Sequence, residues 1–502
     1  MSDIRFSGLA SGIDTQALID KLIQLERRPI TKLQGEISQN NTKLERLRAL
    51  NTKLKALDAA AAKVMGSNGL ASSPLAGRSA TLSNTTVGAM TAAGSAPKGT
   101  YSFTVNAVAA DAKMLGSLTG RAADDSLALG YTATNTYRIS LDADPTGKFV
   151  DINLTDTTSL ADVAAAINAE ANSPVTATVT NATASQSRLV LVSKTSGEPG
   201  TFTVGVVGSE QATGPKLSDY GLAAGTASGT NASISIDGDA AITSSTNTFV
   251  DALPGTTFTA FTTGTTSVTI DNDVATARGA VKDLVARYNE VISQLREDTR
   301  YDPGSQRGGP LRSESGVRGL SQALSRMVTE TFDGTGTNGT FSNYKAAGLT
   351  VNRDGTLSLD EKTLDDAIKS NPTELHRLFA NEDGETSGSV RLNLGGSDTT
   401  MGDGLANRLR ALVSSATDLS SPYNAVGATG GRSPGLVLGA INAVTRANTR
   451  LNDRIDGEER RVERRERLLR LQFQNMERAI SGLRAQGSYL SNQLASLQGQ
   501  QG

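Results

Sequence analysis

A single histidine, His376, and no cysteine leave this 502-residue chain few side chains able to do covalent or zinc chemistry. Zinc sites and Ser-His-Asp catalysis both lean on histidine, and thiolate nucleophiles, thiolate metal sites and disulfides all need cysteine. His376 stands in Thr373-Glu-Leu-His-Arg-Leu-Phe379. That segment predicts a short helix with Leu375, Leu378 and Phe379 on its apolar face, where a lone histidine is structural. A metal role would need carboxylates alone as its partners. Gly334, Gly336 and Gly339 spell a literal GxGxxG. A dinucleotide loop needs a strand before it and a helix after it. Here a helical pattern precedes and Thr340-Phe-Ser-Asn-Tyr344 follows, so the glycines read as a loop. Asn352, Asp354, Gly355, Thr356, Ser358 and Glu361 fall at calcium-loop positions, but Thr350 stands where the first aspartate belongs. Apolar alternation on both sides of Asp354-Gly355 favours a hairpin. No residue set points to a metal or cofactor, and no catalytic pair emerges.

Charge is concentrated near the C-terminus. Residues 441–502 hold eleven arginines against seven acids. Single-stranded nucleic acid binding wants basic charge with aromatics to stack on, and only Phe473 and Tyr489 are present there. Asp456/Arg460, Glu463/Arg467 and Glu466/Arg470 are spaced as helical ion pairs, the pattern of a solvated helix surface. The whole chain carries a net charge of −2, which draws it to neither nucleic acid nor anionic lipid.

Helices must position these residues at both ends. Asp14 can cap a helix with Leu18, Ile19, Leu22 and Leu25 on its apolar face, interrupted by Pro29. A second helix carries a heptad-like seam at Leu33, Ile37, Leu44, Leu47 and Leu54, with Asn40 and Asn51 also on it, and stops at Gly66, Asn68 and Gly69. The last helix starts near residue 436, carries Leu451, Ile455 and Val462, and has Gly457, Gly482 and Gly487 as places to bend or break. A seam at each end predicts that the terminal helices pack together. The apolar stripe Met476, Ile480, Leu483, Leu490, Leu494 and Leu497 can serve as an intramolecular core or as a site for other subunits.

Between these helices the period changes to two. Tyr101, Phe103 and Val105 alternate with Ser102 and Thr104. Further strands read at Tyr137–Leu141, Val150–Leu154, Val175–Val179, Leu189–Val192 and Phe202–Val206, with a helix near 160–171 capped by Ser159 and Asp162. Ile234–Ile236, Thr246–Val250, Phe258–Phe261 and Val268–Ile270 follow, and Tyr101–Val105 can pair with them. Helical period resumes at Val274 and again near 314–331. The fold class is α+β and multidomain: terminal helices pairing as a coiled coil or bundle, with nested β-rich domains inserted in the middle. No apolar run approaches the roughly 20 residues of a membrane span. Met1 to Asp14 lacks the basic and apolar regions of a cleaved secretory signal.

Phe6-Ser-Gly-Leu-Ala-Ser-Gly-Ile-Asp14, Leu18-Ile-Asp-Lys-Leu22 and Glu26-Arg-Arg-Pro29 resemble the opening of the bacterial flagellar filament cap family, hook-associated protein 2. Gly348 to Phe379 is similar to that family's leg domain, and Gly99–Val105 with Ile234–Gly238 and Asn247–Phe258 to its inner head. Ser488–Leu494 is similar to its C-terminal coiled-coil segment. The resemblance implies a non-enzymatic homo-oligomeric ring at the distal tip of the flagellum. It implies export through the flagellar type III channel, with an export chaperone in the cytoplasm and no membrane insertion. Flagellin would fold and insert beneath the ring. Flagellin and hook-filament junction proteins would dock on Phe6, Leu9, Ile13, Leu18, Ile19, Leu22, Leu25, Met476, Ile480, Leu483, Leu490, Leu494 and Leu497. The implied division is an assembly segment 1–43, a leg 44–78 plus 272–440, an inner head 79–112 plus 230–271, an outer head 113–229 and a coiled-coil segment 441–502. Attachment to host surfaces is a further family trait that these residues do not address. Two rivals stand beside it: a hook-filament junction or flagellin-like subunit, which would polymerise without limit, and a peptidoglycan hydrolase, which would need a carboxylate pair.

Overall fold

Asp14 opens the first helix, its carboxylate accepting from the Ala17 amide at 2.9 Å. The structure, a computed structural model, describes residues 14–67, 69–304, 306–329, 344–380, 404–417 and 435–498. Helix α1 spans Thr15–Glu26 and α2 spans Arg28–Met65. The break falls at Arg27, and Pro29 lies in the first turn of α2 rather than interrupting a helix. Proline is tolerated there because the first-turn N–H groups have no intrahelical acceptor to lose. Gly66, at φ 82°, takes the left-handed conformation that ends α2. The other described helices are α3 (Leu160–Ala169), α4 (Val274–Thr299), α5 (Ser315–Thr329), α6 (Glu361–Ser370), α7 (Pro372–Ala380), α8 (Leu405–Thr417) and α9 (Leu436–Gln498).

Helix α9 runs 63 residues without a break, which at 1.5 Å per residue is about 95 Å. Gly457, Gly482 and Gly487 do not interrupt it, contrary to the sequence expectation. A Cβ at any of the three would meet open space. A lone glycine costs about 1 kcal/mol relative to alanine, too little to end so long a helix.

Two compact units divide the chain. The first comprises Met1–Met65, Arg278–Ala367 and Glu374–Gly502. Its interior follows helical spacing: Leu47, Leu50, Leu54 and Leu57 on α2 are fully buried, as are Tyr288 and Leu295 on α4, Leu320 and Leu324 on α5, and Leu412 on α8. Polar links fix the helices against one another. Gln294 Nε2 donates to the Arg46 carbonyl at 3.0 Å, Tyr288 Oη to the Leu324 carbonyl at 3.3 Å, and Arg410 pairs with Asp58 at 3.1 Å.

The second unit comprises Gly66–Ala277 and Ile368–Thr373. One antiparallel sheet runs in the order Arg78–Leu82, Gly264–Asn272, Gly99–Ala107, Ala232–Ile236, Ile242–Ser244. Phe103 pairs with Thr266 on one side and Ile236 on the other. A three-stranded sheet of Thr248–Val250, Thr256–Ala260 and Gly88–Ala92 contributes Phe258, whose ring centroid lies 4.9 Å from that of Phe103. These residues share one apolar core. A separate core joins α3 to two further sheets between residues 113 and 227. Helix α3 is fixed by a capping box: Ser159 Oγ accepts from the Asp162 amide at 3.1 Å, and the Asp162 carboxylate accepts from the Ser159 amide at 3.0 Å. Tyr220 is fully buried in this core, and its hydroxyl lies 3.1 Å from the carbonyls of Thr155 and of Thr158. The chain is therefore α+β and multidomain, with β-rich structure between terminal helices in sequence.

Candidate assembly interface

Apolar residues on α1 and α2 step through Ile19, Ile23, Ile30 and Leu33, and those on α9 through Leu451, Ile455, Val462 and Leu469. All eight are buried in one cluster, with Ile37 and Phe473 packed at its margin. Steps of three, four and seven keep each set on one helix face. Arg470 contacts Gln16 at 3.3 Å, and Asn448 Nδ2 donates to Asn41 Oδ1 at 2.8 Å. As one residue number rises its partner falls, so the two helical segments run antiparallel. The seam residues Leu33, Ile37, Leu451, Ile455 and Val462 thus meet in the structure. Leu44 is only partly buried. Leu47 and Leu54, fully buried farther along α2, are not part of this cluster. The amide contact between the helices uses Asn41, next to the expected Asn40, while Asn51 stays partly buried on α2.

The structure splits the candidate docking residues. Ile19 is 4% exposed and belongs to the intramolecular seam, which removes it from any free face in this conformation. Leu18, Leu22 and Leu25 lie on a neighbouring face of α1, 37 to 55% exposed. On α9, Met476 is exposed and Ile480 partly so. Leu483, Leu490 and Leu494 are 67%, 60% and 61% exposed. These positions continue the spacing of Leu469 and Phe473, so one face of α9 passes from covered to bare where α1 begins. Leucines at such exposure leave apolar area in water at about 25 cal/mol per Å², a standing drive to find a partner. Phe6, Leu9, Ile13 and the Leu497 side chain lie outside the described residues. Sequence reasoning missed Ile23, Ile30 and Leu469. Leu469 was signalled by its seven-residue step from Val462.

Ion pairing on α9 is sparser than its spacing suggested. Glu466 and Arg470 meet at 2.7 Å, and Arg461 pairs with Glu458 at 2.7 Å. Among the described residues, Asp456/Arg460 and Glu463/Arg467 do not close.

The remaining chemical candidates have structural partners. The calcium-like segment forms a hairpin of Leu349–Val351 with Leu357–Leu359. Asp354 accepts from the Thr356 amide and pairs with Arg296 at 3.0 Å, while Glu361 pairs with Lys282 at 2.7 Å. Their carboxylates are engaged by different cations instead of converging. The GxGxxG glycines lie outside the described residues. His376 sits on α7 with Nε2 3.3 Å from the Met65 carbonyl.

Burial disfavours the His376 imidazolium and lowers its pKa from the usual 6.5, outweighing the Met65 carbonyl, which acts the other way. The unfolded chain therefore binds the proton more readily, and stability rises with pH through this window. Acidification through pH 6.5 is expected to lower the melting temperature, the loss levelling off below the folded-state pKa. A His376→Asn variant should show a flatter profile between pH 7.5 and 5, measured against wild type by calorimetry. Parallel profiles would show that the histidine contributes nothing to that slope.

Among the described residues, no helix is long and apolar enough to cross a membrane. Three family models match the chain. They are described as Flagellar hook-associated protein 2 C-terminus, over residues 229–485, Flagellar hook-associated protein 2 N-terminus, over 11–112, and Flagellin hook IN motif, over 130–195. The flagellar hook-associated protein 2 of Escherichia coli K12 is 26% identical over 98% of both chains. The A-type flagellar hook-associated protein 2 of Pseudomonas aeruginosa is 27% identical over 75% of this chain and 80% of its own. A crystal structure of three domains of the flagellar cap protein from Escherichia coli superimposes with a TM-score of 0.57 at 22% identity, covering 80% of this chain and 99% of that one. It shares the fold.

Proposed function

The chain belongs to the flagellar hook-associated protein 2 family, and from that premise we propose that it is the structural cap at the distal tip of the bacterial flagellar filament. Several copies form a closed ring, and exported flagellin folds and inserts beneath it. One observation carries this reading: the seam face of α9 runs on exposed through Leu483, Leu490 and Leu494, past the level at which α1 begins. A face built to the same spacing as a packed seam is ready for helices of other subunits. Flagellin and the hook-filament junction proteins supply those helices, joined by Leu18, Leu22 and Leu25 from α1.

The proposed division of labour follows the residue ranges given by the family resemblance. Residues 1–43 and 441–502 are assembly segments, 44–78 with 272–440 a leg, 79–112 with 230–271 an inner head, and 113–229 an outer head. Two separate apolar cores in the second unit support treating the heads as distinct. The protein works by geometry and is not an enzyme. It leaves the cell through the flagellar type III channel, escorted in the cytoplasm by a chaperone. A chain without cysteine needs no disulfide step at its destination.

The test is deletion of the gene in its source bacterium, followed by assay of flagellin in cell-free medium. Monomeric flagellin in the medium with filaments missing is the expected result. Normal filaments without leakage would overturn the cap reading. Purified protein forming long polymers instead of small closed rings would favour a junction or flagellin-like subunit.

A further inference from the structure

Within the helical unit, an open cavity of about 780 Å³ is lined by Gln39, Thr42 and Lys43 of α2, by the turn Arg307–Pro310, and by Arg312, Ser313 and Arg318. Four of these residues are cations and none is an acid. The turn is held firmly. Gly309 donates to the Arg300 carbonyl at 2.7 Å, and Leu311 to the Asp298 carbonyl at 2.9 Å. A Cβ on Gly309 would lie 2.3 Å from the Asp298 carbonyl oxygen, so only glycine lets the turn sit this close to the end of α4.

The cations differ in how far they are neutralised. Lys43 reaches Ser313 Oγ at 3.3 Å and Glu314 at 3.5 Å. Arg312 stacks its guanidinium 4.6 Å from the Tyr301 ring centroid. Among the described residues, Arg307 and Arg318 have neither an ion pair nor a side-chain hydrogen bond, and both are exposed. The chain as a whole carries a net charge of −2, so this is a local concentration of positive charge rather than a general one.

We propose that this basic notch is a docking site for an acidic peptide segment of a partner protein, received by Arg307 and Arg318 with Lys43 and Arg312 beside them. The size and lining select that occupant. Orthophosphate would leave most of the cavity empty. A nucleotide would need an aromatic face for its base, and the residues lining the cavity include no aromatic side chain. An apolar helix would find little to bury against Gln39, Thr42, Ser313 and the glycines. Carboxylates on a flexible backbone match the arginine forks bidentately and fill the space between them. This inference stands apart from the α9 stripe and does not rest on the cap reading.

The test measures anisotropy of a dye-labelled hexaglutamate peptide titrated with the full chain at low ionic strength. Arg307→Glu with Arg318→Glu is expected to weaken binding by about tenfold or more, whereas Arg464→Glu with Arg467→Glu on α9 should stay within about twofold. Arg307→Lys with Arg318→Lys should retain part of the affinity. Among the described residues neither has an ion pair or side-chain hydrogen bond to lose, so unchanged melting of the reversal variant is expected and checks its fold. Equal weakening by the α9 control, no binding by wild type, or displacement of the peptide by equimolar inorganic phosphate would overturn the proposal. So would a reversal variant whose own sedimentation changes, because a second copy would then be the occupant.

Discussion

Replacing Leu483, Leu490 and Leu494 together by serine is expected to abolish filament growth while leaving the melting temperature of the isolated chain almost unchanged. The three side chains are exposed, so their loss removes no core contact. Serine lowers helix propensity by a few tenths of a kcal/mol per position, which a helix of this length tolerates. The apolar area that a partner subunit would cover disappears at the same time. At about 2 kcal/mol per fully buried leucine, three such losses come to roughly 6 kcal/mol per subunit, several powers of ten in an association constant. Swimming halos and electron microscopy of a strain carrying only the variant would report the loss. Normal filaments from that strain would exclude this stripe as the assembly surface. Wild-type melting alongside is needed to separate lost docking from lost folding.

Val462→Asp is expected to do the reverse and damage the fold of the terminal helices themselves. Val462 is 2% exposed and lies in one cluster with Ile19, Ile23, Ile30, Leu33, Ile455 and Leu469. A carboxylate there loses its water without gaining a cation inside the cluster, at a cost of about 3 kcal/mol or more. The response should be separation of α1 and the start of α2 from α9. It would be visible as faster amide exchange over residues 15–37 and earlier proteolysis within them. Val462→Ala, which keeps the apolar character, should cost less, about 1 to 2 kcal/mol. Unchanged exchange in Val462→Asp would mean that the seam does not hold α1 in solution.

These two variants also mark where the sequence was informative. The step from Leu451 to Ile455 to Val462 announces one helix face, because periodicity is a property of the chain alone. Helix α1 is different: Leu18, Ile19, Leu22, Ile23 and Leu25 cover two of its faces. Which face turns inward depends on α9, more than 400 residues away in the chain, and the sequence spacing treats both alike. The structure buries Ile19 and Ile23 and leaves the three leucines outside. The interhelical amide contact is likewise made by exposed Asn41 at the edge of the seam, while Asn40 stays partly buried. In the β-rich region, alternation marks Tyr101, Phe103 and Val105 as a strand, but many segments there alternate threonine or serine with small apolar residues. Register among such similar strands is set by pairing partners, and a slip of one residue would invert every side chain. The basic notch escaped notice for a related reason. Arg307, Arg312 and Arg318 fall in one stretch with Glu314 among them, but Lys43 joins them from α2, far away in sequence, and only the fold brings the four together.

The uncovered end of α9 has a mechanical consequence. Residues 474–498 extend about 38 Å beyond the level of Phe473 as one continuous helix. Clamped at the seam and loaded at its tip, such a helix is a lever. A tilt of about 10° at the clamp swings the tip by roughly 7 Å, a little more than one helical turn. Small repacking around Leu469 and Phe473 would therefore be read at the far end as a displacement of about the length of one helical turn.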